Sequence, residues 1–185
     1  MPKGRDIMYF SAAAHLHLPC RFASFTPGEI HNDGRRYLPT IGLSLGEGTP
    51  HAYHLPVVDR HHQVNEQHVG LSGSALLVLL LCQFRLQNEA PRQEIRATAD
   101  GIPGAPRVYG RVTHVATWEV PETPLPYQSL YCEYVLDIGI GTVGVRTHAT
   151  APQLRQRLGT DMLDVGDWVE VWRPRIDILG FIPQQ

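Results

Sequence analysis

The chain has 185 residues, of which 43% are hydrophobic and 18% are charged, and its formal net charge is −2. This composition excludes a disordered chain, and the length suits one large domain or two small ones. The near-neutral charge argues mildly against strong nucleic-acid binding, because domains that bind nucleic acids are usually net basic.

The N-terminal segment makes a poor secretion signal, since Ser11, His15 and His17 interrupt its apolar stretch. The longest apolar run, residues 75–82, is far shorter than the roughly 20 residues of a membrane-spanning helix. We therefore expect a cytoplasmic protein with no membrane partner. The three cysteines are odd in number and widely spaced, which predicts free thiols rather than a disulfide framework; they are Cys20, Cys82 and Cys132.

Residues 1–100 are expected to form a β-rich domain. Glycine and proline separate short runs of strand-forming residues, which predicts an all-β fold. Residues 61–70 could hold a helix between strands, and the continuously apolar residues 75–82 suit either a strand buried on both faces or a helix packed in a core. The predicted strands are 19–25, 35–45, 51–58, 74–86 and 93–99.

Several histidines cluster in this half, and histidine is the commonest metal ligand. A zinc site is conceivable from His51 and His54 together with His61 or His62, which would give a metal-dependent enzyme. No cysteine pair or glutamate accompanies them in a known zinc pattern. Residues 42–46 match the nucleophile motif G-x-S-x-G, but Ser44 lies in a glycine-rich, strand-like segment with no clear helix behind it, so we interpret the match as chance; the chain lacks a phosphate-loop motif. We therefore expect no metal, no cofactor and no enzymatic activity.

Residues 107–185 give the clearest pattern, after a linker at residues 101–106. Alternating residues predict three strands at 107–120, 130–138 and 142–148. A short helix is predicted at 150–159, because Thr150 can cap it and Gly159 can end it. Two further strands are predicted at 168–172 and 175–182.

This order of three strands, a helix and two strands resembles the oligonucleotide/oligosaccharide-binding (OB) fold family. The sequence GDWVEVWRPRIDILGF, residues 166–181, is similar to the family's strand-four and strand-five pattern. The resemblance implies a five-stranded Greek-key barrel in residues 107–185, and residues 1–100 could form a second, divergent barrel of this kind. It also implies a binding groove on strands two and three and the flanking loops.

The outward positions of the C-terminal barrel interleave aromatic residues with arginines. Aromatic rings stack on the bases of single-stranded DNA or RNA, and arginines meet the phosphates. The sequence therefore predicts a non-enzymatic single-stranded nucleic-acid-binding protein. The alternative is an assembly module, in which the same face contacts a second copy or another protein and acids neutralise the arginines. The predicted residues are Tyr109, Arg111, Tyr131, Arg146, His148, Trp168, Trp172 and Arg175.

Overall fold

A computed structural model describes residues 10, 12–50, 52–88, 90–97, 105–119, 130–147, 151–160 and 163–184. The fold is all-β, with one short helix, α1 (Ala151–Leu158). The strands are β1 (Leu18–Thr26), β2 (Thr40–Leu45), β3 (Tyr53–Val58), β4 (Ser72–Leu80), β5 (Gln83–Leu86), β6 (Glu94–Arg96), β7 (Arg107–Glu119), β8 (Leu130–Asp137), β9 (Thr142–Thr147), β10 (Trp168–Trp172) and β11 (Arg175–Pro183).

Five strands close into a barrel. They pair in the order β1-β2-β3-β11-β4, and β4 returns to pair with β1. The pairing of β11 with β3 is parallel, and its other neighbour, β4, is antiparallel to it. The barrel is therefore completed by the last strand of the chain.

The remaining strands extend the same sheet from β4 in the order β9-β8-β7-β10-β5, with β6 added on β7. The β4–β9 contact is parallel and joins Val78 and Leu79 to Gly144 and Val145. β5 follows β4 after only two residues and pairs with β10. The chain segment 72–86 thus pairs with β9 along one part and with β10 along another.

Two strands therefore change partners midway along an extended run. β4 passes into β5 at Leu81 (φ 51°), and β10 passes into β11 at Arg173 (φ 52°). The sequence predicts a barrel built from residues 107–185 alone, whereas β11 lies between β3 and β4. The reason is that β11 pairs with the apolar strand β4 over most of its length. Of the predicted linker, only Ala105 and Pro106 lie within the described residues.

The core follows the predicted alternation of the strands. A large buried cluster contains inward-facing residues from both parts of the sheet, among them Leu43, Leu77, Val108, Leu136 and Val171. A second cluster lies on the other face of β4 and β8, where Phe10, Ala12 and Leu16 cover Val78, Leu80 and Val135. No helix among the described residues is long and apolar enough to cross a lipid bilayer.

The helix considered for residues 61–70 is replaced by a single 3-10 turn, Glu66–His68. The buried carboxylate of Asp59 accepts hydrogen bonds from the backbone N–H groups of Gln63 and Val64, at 2.9 and 3.0 Å. Asn65 then caps the turn by accepting from the N–H of Gln67. These contacts hold the segment in a loop and leave one turn of helix.

Candidate nucleic-acid interface

The register of β10 against β7 places aromatic and basic residues on one outward face. Val169 and Val171 are fully buried, so Trp168, Glu170 and Trp172 point to the opposite side of β10. Their directly paired residues on β7 are Arg111, Tyr109 and Arg107, in that order. Paired residues share a face, so all six project together.

Both tryptophans on this face have an arginine guanidinium over the ring. The guanidinium carbon of Arg111 lies 6.0 Å from the ring centroid of Trp168. Arg85, on β5, lies 5.6 Å from the centroid of Trp172. We call the set Arg85, Arg107, Tyr109, Arg111, Trp168, Glu170 and Trp172 the arginine–aromatic face.

Glu170 fixes two arginines of this face. Its carboxylate accepts from Arg85 Nε and from Arg107 Nη1, each at 2.8 Å, and from the hydroxyl of Tyr109 at 3.2 Å. Burial alone would raise the pKa of Glu170, but the hydrogen bond and charge of Arg85, together with Tyr109 and Arg107, lower it overall. Glu170 is therefore a carboxylate at neutral pH and orients both guanidinium groups.

Two more arginines lie over the ring of Tyr109. The guanidinium carbons of Arg92 and Arg96 are 4.7 and 5.0 Å from its centroid, and Arg96 also donates to its hydroxyl. Both arginines are close to Glu94, at 3.5 and 3.8 Å. A base would have to displace a guanidinium to stack on Tyr109, so this ring serves to position arginines.

The loop that carries Arg92 is anchored by Gln87. The Gln87 side chain donates to the carbonyls of Arg92 and Val169, at 3.1 and 3.0 Å, and accepts from the N–H of Arg92 at 3.0 Å. The backbone N–H of Gln87 donates to the carbonyl of Trp168. Arg92 is thereby held beside the face although it lies outside a strand.

A cavity of about 320 Å³ opens at one end of the arginine–aromatic face. We call it the arginine pocket; it is lined by Arg85, Gln87, Asn88, Arg92, Arg107, Tyr109 and Glu170. Among the described residues, Arg85, Arg92 and Arg107 line it together with Glu170, and the adjoining charges of Arg96 and Glu94 cancel, which leaves an excess of two positive charges. Such a pocket is suited to an anion, because guanidinium groups match carboxylate and phosphate oxygens.

Four of the predicted site residues lie on the arginine–aromatic face: Tyr109, Arg111, Trp168 and Trp172. Arg146 does not, because its side chain is 12% exposed and pairs with Glu133, which is 1% exposed. Arg175 pairs with the fully buried Asp177, with Nε 2.9 Å from Oδ1. The neutralisation by acids that the alternative interpretation predicts is therefore seen at Arg146 and Arg175.

The groove that the resemblance implied on strands two and three is covered in the described structure. On β8, both Glu133 and Val135 are buried, and Phe10 packs against β9 so closely that a Cβ on Gly144 would lie 2.6 Å from its ring. His148 and the side chain of Tyr131 lie outside the described part of the structure. Among the described residues of β7 and β10, the exposed aromatic surface is instead that of Trp168 and Trp172, since Tyr109 is buried.

The sequence interpretation missed Arg85, Arg92, Arg96 and Arg107, which form most of the positive charge of the site. Alternation within residues 83–86 places Arg85 opposite to Phe84, and this signal was available. The pairing of β5 with β10 could not be predicted from the sequence, because it joins residues more than 80 positions apart.

The histidines of the described part of the chain do not form a metal site. His51, one of the predicted ligands, lies outside the described residues. No group of three or more His, Cys, Asp or Glu residues within the described part is arranged to hold a metal ion. Cys20 and Cys82 are free thiols, as predicted, and burial raises their pKa values to about 11 and about 12. Both thiols are therefore protonated at neutral pH and poor nucleophiles.

Comparison with family models, curated proteins and solved structures finds no match in any of the three. The residues of the arginine–aromatic face therefore provide the evidence for function.

Proposed function

We propose that this protein binds single-stranded DNA or RNA on the arginine–aromatic face. The observation that carries the proposal is the presence of two outward tryptophans on one strand, each with an arginine beside its ring. Trp168 and Trp172 are separated by roughly 13 Å along β10, given a rise of about 3.3 Å per residue. Unlike the buried Tyr109, both rings are partly exposed, so two bases can stack on them when the guanidinium groups move aside to meet the phosphates.

Local charge supports this proposal, whereas the net charge of −2 argues mildly against it. Arg85, Arg92, Arg96, Arg107 and Arg111 lie near one another and near Tyr109, Trp168 and Trp172. Among the described residues, the acids within ion-pair distance of them are Glu94 and Glu170, and Asp137 lies opposite Arg111 on β8. Arginine therefore exceeds acid in this cluster, and a positive surface patch favours contact with phosphates.

We further propose an OB-type arrangement of the strands, and the strand pairing supports it. A Greek key has the spatial order 4-1-2-3, and both β4-β1-β2-β3 and β10-β7-β8-β9 follow it. We propose that each forms an OB-type barrel with a fifth strand supplied by the other, β11 for the first and the β4–β5 run for the second. OB barrels commonly bind oligonucleotides, although a fold alone does not fix a function.

The test is a titration of a fluorescein-labelled 15-nucleotide oligo-dT, and of oligo-U, followed by anisotropy. We expect binding that weakens with salt, and a roughly 5- to 150-fold rise in Kd in Trp172→Ala, from a stacking loss of about 1–3 kcal/mol. Arg35→Ala is the control, because Arg35 is an arginine with an 88% exposed side chain in the β1–β2 loop. Equal loss in both variants, or no binding at moderate salt, would contradict the proposal.

The assembly alternative uses the same face. Trp168 and Trp172 are only half-buried, and tryptophan is enriched at protein interfaces. Sedimentation velocity separates the two functions. A stable oligomer that dissociates in Trp172→Ala, with no change of oligo-dT anisotropy, would favour assembly over nucleic-acid binding.

A further inference from the structure

We propose that the arginine pocket binds a phosphate monoester, such as the terminal phosphate of the strand that lies on the arginine–aromatic face. This inference rests on the proposed function, because it names the part of the nucleic acid that the pocket recognises. The pocket lies next to Trp172, since Arg85 contacts both the ring of Trp172 and the carboxylate of Glu170.

The charge of the pocket matches a monoester better than an internal phosphate. Among the described residues its lining carries Arg85, Arg92 and Arg107 against Glu170, and the adjoining charges of Arg96 and Glu94 cancel, so the excess there is two positive charges. A phosphodiester carries one negative charge, whereas a phosphate monoester carries about −1.5 to −2 near pH 7. A monoester therefore neutralises the pocket.

Arg85 and Arg107 keep guanidinium N–H groups that do not point to Glu170. Each guanidinium has five N–H groups, and Arg85 uses its Nε and one Nη towards Glu170, while Arg107 uses one Nη. The side chains of Arg85, Arg92 and Arg107 are 56%, 38% and 35% exposed, so each reaches solvent. A phosphate offers three terminal oxygens that these forks can meet in pairs.

The pocket is also ordered in advance of binding. Glu170 orients Arg85 and Arg107, the ring of Tyr109 supports Arg92, and Gln87 anchors the backbone of Arg92. Arginines held in this way lose less conformational entropy when an anion binds. The volume of about 320 Å³ falls near the lower end of small-molecule sites, roughly 300–1,000 Å³. It suits one terminal nucleotide.

The experiment compares 12-nucleotide oligo-dT strands that differ only at one end. One pair carries a 5′-phosphate or a 5′-hydroxyl with the fluorescein at the 3′ end, and a second pair carries a 3′-phosphate or a 3′-hydroxyl with the label reversed. In one of the two pairs we expect the phosphorylated strand to have a Kd at least about 10-fold lower than that of its hydroxyl partner, because hydrogen bonds to a charged group are strong. The preference should disappear in Arg92→Ala and remain in the control Arg35→Ala.

Strands that bind with equal Kd whether or not they are phosphorylated would overturn this inference and leave the proposed function standing. If no strand binds, calorimetry with dTMP separates the two claims. Binding of dTMP that is lost in Arg92→Ala would keep the monoester site and remove the strand-binding function. Absence of both would overturn both.

Discussion

The buried carboxylates of Glu133, Glu170 and Asp177 are paired with arginines within the fold, and this pairing decides which arginines remain for a ligand. Arg146 and Arg175 are committed to Glu133 and Asp177, whose carboxylates are almost fully buried. Arg111 instead lies beside the ring of Trp168 at the surface. Strand alternation predicted that all three point away from the core, but it cannot show which outward face another segment will cover.

Arg146→Met should destabilise the protein by about 3–5 kcal/mol, because the buried carboxylate of Glu133 would lose its guanidinium partner. Urea unfolding measures this loss, with the exposed Arg35→Met as the control. The double variant Glu133→Leu with Arg146→Met should regain most of the stability, since replacing both ions by apolar groups removes the desolvation cost. A loss below about 1 kcal/mol in the single variant would contradict a buried ion pair.

Glu170 should make stability depend on pH. Its pKa in the folded protein lies below the usual value of 4.5, because Arg85, Arg107 and Tyr109 outweigh the effect of burial. The stabilisation by the carboxylate is therefore fully present above pH 4.5 and is lost as the pH falls through the lower folded pKa. We expect Glu170→Gln to melt at a lower temperature than wild type at pH 7, with the gap closing at acid pH. A gap independent of pH would argue against this ion pair.

At the scale of elements, local patterns predicted the strands well and their partners poorly. Val108, Val143, Val169 and Ile178 are buried, as the alternation along each of their strands predicts. Alternation is a property of a single strand, so it can be read without knowing the strand's partners. The run 74–86 was predicted as one strand and is two, β4 and β5. Nothing in that apolar run marks the point at which its partner changes from β11 to β10, since the partners lie far away in the sequence.

The change of direction occurs at Leu81, which holds a left-handed backbone conformation with φ 51° and is 65% exposed. Leu81→Gly should therefore raise the free energy of unfolding by about 1 kcal/mol, because glycine adopts this conformation without strain and little buried surface is lost. Val165→Gly is the control, since Val165 is equally exposed and has no positive φ. Chemical denaturation that shows both variants to be less stable than wild type would contradict the strain at Leu81.

At the scale of the whole molecule, the two halves of the chain complete each other. β11 closes the barrel formed by β1 to β4, and β5 pairs with β10 in the other group of strands. The sequence predicts two separate domains joined at residues 101–106, because each half has five strand-like runs. The long-range pairing that links the halves has no local signature.

Fragments 1–106 and 107–185 should each fail to unfold cooperatively when expressed alone, because each lacks a strand that the other supplies. Co-expression should give a complex with the circular dichroism spectrum and melting transition of the intact chain. Cooperative unfolding of residues 107–185 by themselves would show that this half folds independently and that the exchange of strands is dispensable.

The central claim, that the arginine–aromatic face binds single-stranded nucleic acid, is tested most directly by NMR. Spectra of ¹⁵N-labelled protein resolve the indole N–H groups of tryptophan and the Nε–H groups of arginine during titration with oligo-dT. We predict that the indole signals of Trp168 and Trp172 and the Nε signals of Arg85 and Arg111 shift in a saturable way, while that of Arg35 stays in place. Saturable shifts confined to other surfaces, or no shifts at all, would contradict the claim.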